Sequence, residues 1–172
     1  MRARRLRPER PWQEHERLYR DLFADPAVAV ELWPRERAET AAAERHAREI
    51  LAADIHHWQE RSYGPWVFFE VATGMFAGRG GLRHSTIAGS ACVEVLYALR
   101  HDAWGRGYGT EIAVLAVEQA RRLGISEVVG VTATSNRASQ RVLEKTSMRL
   151  QERVDHAGLP HLLGRLRVGA LV

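Results

Sequence analysis

The chain holds a single cysteine, Cys92, in 172 residues. An internal disulfide is therefore excluded, and a reducing, cytoplasmic setting is the expectation. Cys92 falls in an apolar strand pattern, which predicts a buried structural thiol. No apolar run reaches about 18 residues, so no membrane-spanning helix is expected. The basic start, Met1-Arg2-Ala3-Arg4-Arg5-Leu6-Arg7, has no apolar segment behind it and does not read as a secretory signal. The eight histidines are scattered from His15 to His161, and the adjacent pair His56-His57 cannot face one way on a helix. No Cys/His spacing matches a metal site, and no metal is expected. A Gly-x-Ser-x-Gly nucleophile turn, an internal repeat and a low-complexity linker are all missing.

Charge of one sign is also not concentrated. The net charge is +4 and the pI is near 9.8, but the arginines lie along the whole chain. No basic block is interleaved with aromatics as a nucleic-acid surface requires. A modest positive field suits a polyphosphate ligand. Nucleic acid is not the expected partner, although a ribosome-associated protein with a basic surface is a third, separate reading. Hydrophobic residues make up 45% and charged residues 27%, the balance of an ordinary globular protein. One domain over residues 1–172 is expected.

The pattern of elements is legible in chain order. A first strand is expected over Arg2 to Leu6 and a short helix from Pro11 to Phe23. Asp25-Pro26-Ala27-Val28 ends that helix in a turn, because a residue before proline avoids the helical region. A longer helix follows from Glu36 to Arg61, with Ala42, Ile50, Leu51, Ile55 and Trp58 on one face. Trp66 to Val71 and Met75 to Arg83 read as strands joined through Ala72-Thr73-Gly74, an antiparallel hairpin. Residues 84–90 read as a loop and Cys92 to Leu99 as a strand. Ile112, Leu115, Ala116, Ala120 and Leu123 recur at helical spacing, and Arg121, Arg122 and Gly124 close that helix. Val128 to Ala133 is a buried strand, so 92–99, the helix and 128–133 form a right-handed parallel crossover. A last helix opens at Ser135, and residues 148–157 and 161–169 form a final antiparallel pair.

Chemistry concentrates where strand 92–99 meets its helix, in Ala103-Trp104-Gly105-Arg106-Gly107-Tyr108-Gly109-Thr110-Glu111. The first turn of a helix offers unpaired N–H groups and the positive end of the helix dipole. Glycines let an anion approach the backbone. The stretch therefore reads as a pyrophosphate cradle. It is not a P-loop, because no lysine follows the glycines. It is a poor dinucleotide fingerprint: Thr110 stands where the third glycine belongs, and Glu127 begins the next apolar run where an acid should end it.

A third cradle fits. Trp104-Gly105-Arg106-Gly107-Tyr108-Gly109 resembles the Gln/Arg-x-x-Gly-x-Gly/Ala turn of the GNAT acetyltransferases, with Trp104 in the first position as in the RimJ/RimL-like branch. Gly78-Arg79-Gly80-Gly81-Leu82 resembles that branch's hairpin ending. Asn136-Arg137-Ala138-Ser139 resembles the second GNAT motif, Asn-x-x-Ala/Ser at a strand-to-helix junction. The resemblance covers residues 66–165 and, loosely, the helices before them. It implies a twisted mixed sheet of about six to seven strands, mostly antiparallel, with helices on both faces. One parallel strand pair in it splays at the cofactor site. It also implies an N-acetyltransferase that uses acetyl-CoA as co-substrate, acts on a primary amine and needs no metal. The amine is that of a peptide N-terminus or a small molecule, and the resemblance allows a homodimer. The cofactor would be held by the backbone of Tyr97, Ala98 and Leu99, by Trp104 through Thr110, and by Asn136 and Ser139. Asn136 reads equally as a helix N-cap. The N-terminal helices would form a substrate wall.

The reaction removes a proton from an amine and can return one to the departing thiolate. Many family members carry a tyrosine acid where this chain has Leu143. Ser139 keeps the position of a serine that serves as the acid in the RimJ/RimL-like branch, or it is a hydroxyl at a helix start. Glu94, a carboxylate in an apolar strand, is the leading base candidate, with a place on a solvated strand face or pairing to an arginine as its structural alternatives. Glu70 and His84 are the other candidates. The missing tyrosine motivates a rival reading, a CoA-binding regulatory domain without transfer activity.

Overall fold

A computed structural model describes residues 4–32, 40–156 and 158–169. Its strands fall in the order β1-β2-β3-β4-β5-β7-β6, with β1 at Leu6–Glu9, β2 at Pro65–Glu70, β3 at Phe76–Ile87, β4 at Ser90–Leu99, β5 at Glu127–Ala133, β6 at Arg149–His156 and β7 at Leu159–Arg167. The helices are α1 (Glu16–Ala24), α2 (Pro26–Leu32), α3 (Thr40–Arg61), α4 (Tyr108–Arg122) and α5 (Arg137–Glu144). This is the mixed, mostly antiparallel sheet expected, and β4 and β5 are its parallel pair, in register at Glu94↔Val129. The chain forms two compact units. One takes in the chain up to Gly80 together with Tyr97–Tyr108, the other Gly81–Leu96 and the chain from Gly109 onward.

The first unit is built on an apolar cluster of Tyr19, Leu22, Phe23, Val28, Ala47, Leu51, Val67, Phe76 and Ala98. Two boundaries differ from the sequence reading. Of the expected strand Arg2 to Leu6, Arg2 and Ala3 lie outside the described residues; the described strand is Leu6–Glu9, set by its partner β2, with Leu6↔Glu70 and Glu9↔Val67. Asp25 does break α1, with an extended ψ of 118°, but no loop follows. Pro26 opens α2 directly, since proline needs no N–H in a first turn. Asp25 caps it by accepting from the Ala27 amide at 2.9 Å. The long helix is described from Thr40, and residues 36–39 of the expected span lie outside the described residues. Its buried stripe is Ala43, Ala47, Leu51, Asp54 and Trp58, while Ala42, Ile50 and Ile55 are half-buried.

Asp54 is the exception in that stripe. Its carboxylate is 1% exposed and takes both Nε and Nη2 of Arg79 at 2.8 and 2.6 Å. The Tyr19 hydroxyl donates to the same carboxylate at 2.8 Å. A bidentate guanidinium with a third donor is how a buried carboxylate is kept charged. The network ties α1 and α3 to β3. Burial, and then the Asp54 charge, push the Tyr19 phenol well above its usual value of 10.0. Above about pH 10 an unfolded chain sheds a proton that the folded chain keeps, so stability falls with rising pH; below that it is unaffected by this group. We expect Tyr19→Phe to remove this alkaline decline, read as the urea midpoint between pH 8 and 11, even if it lowers stability at neutral pH.

Next to Arg79, Gly78 allows β3 and β4 to approach: a Cβ there would lie 2.2 Å from the Ala98 carbonyl oxygen. In the second unit, β3 runs on to Ile87, so residues 84–87 are strand and not loop. Only Ala88 and Gly89 turn the chain, at φ of 49° and 76°. Two consecutive left-handed residues are the tight hairpin turn that matches strand twist. β5 pairs antiparallel with β7 from Glu127↔Arg167 to Ala133↔His161, and β6 pairs with β7 at the sheet's end. The buried side of α4 is Ile112, Ala113, Ala116, Val117 and Ala120; Leu115 is half-buried and Leu123 exposed. A Cβ on Gly130 would meet Leu143 and Met148, so α5 covers the Gly130 side of β5.

Candidate active site

The glycine stretch is a turn between β4 and α4. Gly105 and Gly107 hold φ of 73° and 79°, which other residues adopt at a cost. A short 3-10 turn at His101–Ala103 precedes them. The amides of Ala103 and Trp104 are used internally, on the carbonyls of Arg100 and His101. Among the described residues, those of Gly105, Arg106 and Gly107 donate to no backbone carbonyl. They are followed at once by the first turn of α4, whose own N–H groups lack helical partners. All of residues 104–107 are exposed, and a Cβ on Gly105 would meet nothing within 4 Å. This is open space lined by donors, the property a phosphate cradle needs.

Side chains brace the turn. The Trp104 indole donates to the Leu99 carbonyl at 2.9 Å, tying it to the end of β4. Arg5 Nη1 donates to the Arg106 carbonyl at 2.8 Å, and the guanidinium lies 5.0 Å from the Tyr108 ring centroid. Arg106 donates to Glu70 at 2.8 Å. Glu70 also accepts from Thr73 Oγ1 and so braces two turns. Arg5 is a residue that the sequence offered no signal for, because nothing local marks a side chain that meets a partner some hundred positions on.

In the second unit, Asn136 caps α5: its Oδ1 accepts from the Ser139 amide at 2.9 Å. Buried Gln140 donates from Nε2 to the Ala133 and Thr134 carbonyls at 3.2 and 3.0 Å, which clamps α5 to the end of β5. Leu143 is 1% exposed in the core beside Gly130.

Strand alternation and register place a set of side chains on the opposite face of this unit's sheet. Glu94, Val129 and Arg165 share it, as do Val131 and Leu163, and Ala133, His161 and Val154. Ile87, Val129 and Leu163 form its apolar centre, with Cys92, Val131 and Val154 packed on them. Cys92 is half-buried, not fully enclosed, and its thiol donates to the Ser85 carbonyl at 3.5 Å. Burial, then the Glu94 charge, push that thiol upward. Glu94 is 7% exposed; its Oε2 accepts from Ser85 Oγ at 2.5 Å and from Arg83 Nη2 at 3.1 Å. Glu94 is thus paired with an arginine, one of the structural alternatives that the sequence left open. A cavity of about 440 Å³ opens at the other end of this face, lined by Ile87, Cys92, Val129, Leu163 and Arg165 among others. His84 is exposed at its rim.

The fold is similar to those of several solved acetyltransferases. A GNAT-family enzyme from Bordetella pertussis matches with a TM-score of 0.74 and 22% identity, over 96% of this chain and 97% of that one. An acetyltransferase from Agrobacterium tumefaciens strain C58 matches with a TM-score of 0.78 and 21% identity, over 97% and 93%. The RimL ribosomal L7/L12 alpha-N-protein acetyltransferase, solved with coenzyme A, matches with a TM-score of 0.71 and 18% identity, over 96% of both chains. Residues 5–149 match the acetyltransferase (GNAT) domain family, and the chain accordingly belongs to the GNAT family of acetyl-CoA-dependent N-acetyltransferases.

Proposed function

We propose that this enzyme acetylates a primary amine, at a peptide N-terminus or on a small molecule, by direct attack while both substrates are bound. The observation that carries the reading is the exposed run Gly105, Arg106 and Gly107 ahead of α4, whose amides donate to no backbone carbonyl among the described residues. They would take the pyrophosphate of acetyl-CoA together with Tyr108, Gly109 and Thr110. The strand backbone from Tyr97 through Ala98 to Leu99 would take the pantetheine arm, with the Leu99 carbonyl already committed to Trp104. Asn136 and Ser139 stand at the N-terminus of α5 and complete the set. When bound, acetyl-CoA supplies a thioester carbonyl open to an amine. The chain's part is to orient it, to receive the amine's proton and to offer Ser139 to the departing sulfur.

Within the family, Trp104 and the Gly78 to Leu82 segment favour the RimJ/RimL-like branch, and that favours a peptide N-terminus. We place the enzyme in the cytoplasm, as one domain, with a homodimer as an allowed assembly. No helix among the described residues is long and apolar enough to cross a membrane. Titration calorimetry with acetyl-CoA and CoA, followed by thiol release across N-terminal peptides, polyamines and aminoglycosides, tests the reading. Absence of binding at high micromolar ligand would reject it. A second reading, a CoA-binding regulatory domain without transfer, rests on Leu143, a core side chain where many members have a tyrosine acid. Tight binding without thiol release from any amine would favour it.

A further inference from the structure

We infer that His161 is the group that takes the proton from the acceptor amine; this rests on the acetyltransferase reading above. His161 is the third residue of β7 and pairs with Ala133, the last residue of β5. The β7 end is held there by the Thr134 amide, which donates to the Pro160 carbonyl at 3.2 Å, and the facing end of β5 is clamped to α5 by Gln140, which donates to the Ala133 and Thr134 carbonyls. Its side chain therefore belongs to the sheet face that also carries Glu94, at the strand end from which the chain turns into Asn136 and Ser139. The ring is half-buried, so it has a path to solvent.

The tautomer is set by a hydrogen bond. His161 Nδ1 lies 2.9 Å from the Leu159 carbonyl oxygen. A carbonyl accepts only, so a neutral ring carries its proton on Nδ1 and leaves Nε2 as a bare lone pair. Among the described residues Nε2 has no hydrogen-bond partner. His156 of β6 stacks edge-on against the ring, centroids 5.3 Å apart, and limits its rotation. The charged surroundings are few. β5 faces His161 with Ala133 and β6 with Val154 and His156. Arg153 and Asp155 alternate to the other side of β6. Arg137 of α5 is turned to Gln140, and Arg165, further along the same face, is held by Glu127 and Glu152.

Glu94 shares the face but is differently disposed. Its Oε2 already holds Arg83 and Ser85. That oxygen of Glu94 is thus occupied by two donors, whereas Nε2 of His161 presents an open lone pair. The amine arrives as an ammonium. Its proton passes to Nε2 of His161 and from the imidazolium to water, and the freed lone pair forms the C–N bond as the C–S bond breaks. The proton that nitrogen then loses matches the one the thiolate gains, so one proton is released for each amide and thiol formed.

The test uses the full chain with two probe amines, spermine and an alanyl tripeptide, and thiol release from acetyl-CoA as readout. His161→Gln and His161→Ala should bind acetyl-CoA as the parent does by calorimetry, yet lose about 100-fold in kcat/KM. Both should lose the acidic limb of the pH profile, and imidazole should restore part of the rate to His161→Ala only. Glu94→Gln should keep the limb. Three results would overturn the assignment: histidine variants within threefold of the parent, an acidic limb that disappears with Glu94 and not His161, or no thiol release from either probe by an enzyme that binds acetyl-CoA. If the parent fails to bind acetyl-CoA at all, the acetyltransferase reading itself is what falls.

Discussion

Asp54→Ala lowers the unfolding free energy by about 3–5 kcal/mol, the expected cost of removing one partner from a buried ion pair. The substitution leaves Arg79, itself 5% exposed, without its counter-charge and the Tyr19 hydroxyl without its acceptor. A domain's whole stability is about 5–15 kcal/mol, so a large fraction is at stake. Asp54→Asn fares little better, because an amide keeps the volume but not the charge. The double change Asp54→Leu with Arg79→Met recovers most of the loss, since no charge is then stranded. Urea unfolding of the four proteins decides it. A loss under about 1 kcal/mol for Asp54→Ala would mean that the pair is hydrated in solution and that the network does not hold α1 and α3 to β3.

Gly107→Val raises the dissociation constant for CoA by at least about 100-fold, while the melting temperature moves by only a few degrees. The two readouts separate because Gly107 is exposed and its nearest obstacle to a Cβ is the tip of Arg5, at 3.4 Å. The fold loses only the local strain of a β-branched residue at φ 79°, about 1–3 kcal/mol. The ligand loses more: an isopropyl group stands over the amides of Gly105 to Gly107, and a phosphate that cannot come within hydrogen-bond distance exchanges water for nothing. Gly124→Ala is the control. It too sits at positive φ, 69°, with nothing near its Cβ, but follows the end of α4 and not its start. Its binding should be that of the parent. If Gly107→Val binds CoA normally, the amides of this turn are not the cradle.

Much of this protein follows from local order. The apolar run in 92–99, the three glycines after it and the helical spacing from Ile112 to Ala120 are short-range patterns, and each became the element expected. So did the cap at Asn136, because a side chain accepting from a helix amide three residues on is a local event. Local order misled where two local forces compete. Asp25-Pro26 breaks a helix and also begins one, and only packing of Val28 and Ala29 selects the second outcome. Residues 84–87 look like loop by composition, yet they pair as strand because Ala88 and Gly89 already complete the turn.

The sequence by itself determined the family, the strand–turn–helix arrangement at the glycines and the parallel crossover that carries it, since these depend on residues that are neighbours along the chain. Tertiary structure decided which distant charges meet. Asp54 found Arg79, Glu94 found Arg83, Arg5 reached the glycine turn, and His161 came to lie beside the end of β5. A carboxylate's or an imidazole's chemistry is set by what lies within a few ångströms of it, and sheet pairing chooses those neighbours from parts of the chain that carry no mark of one another.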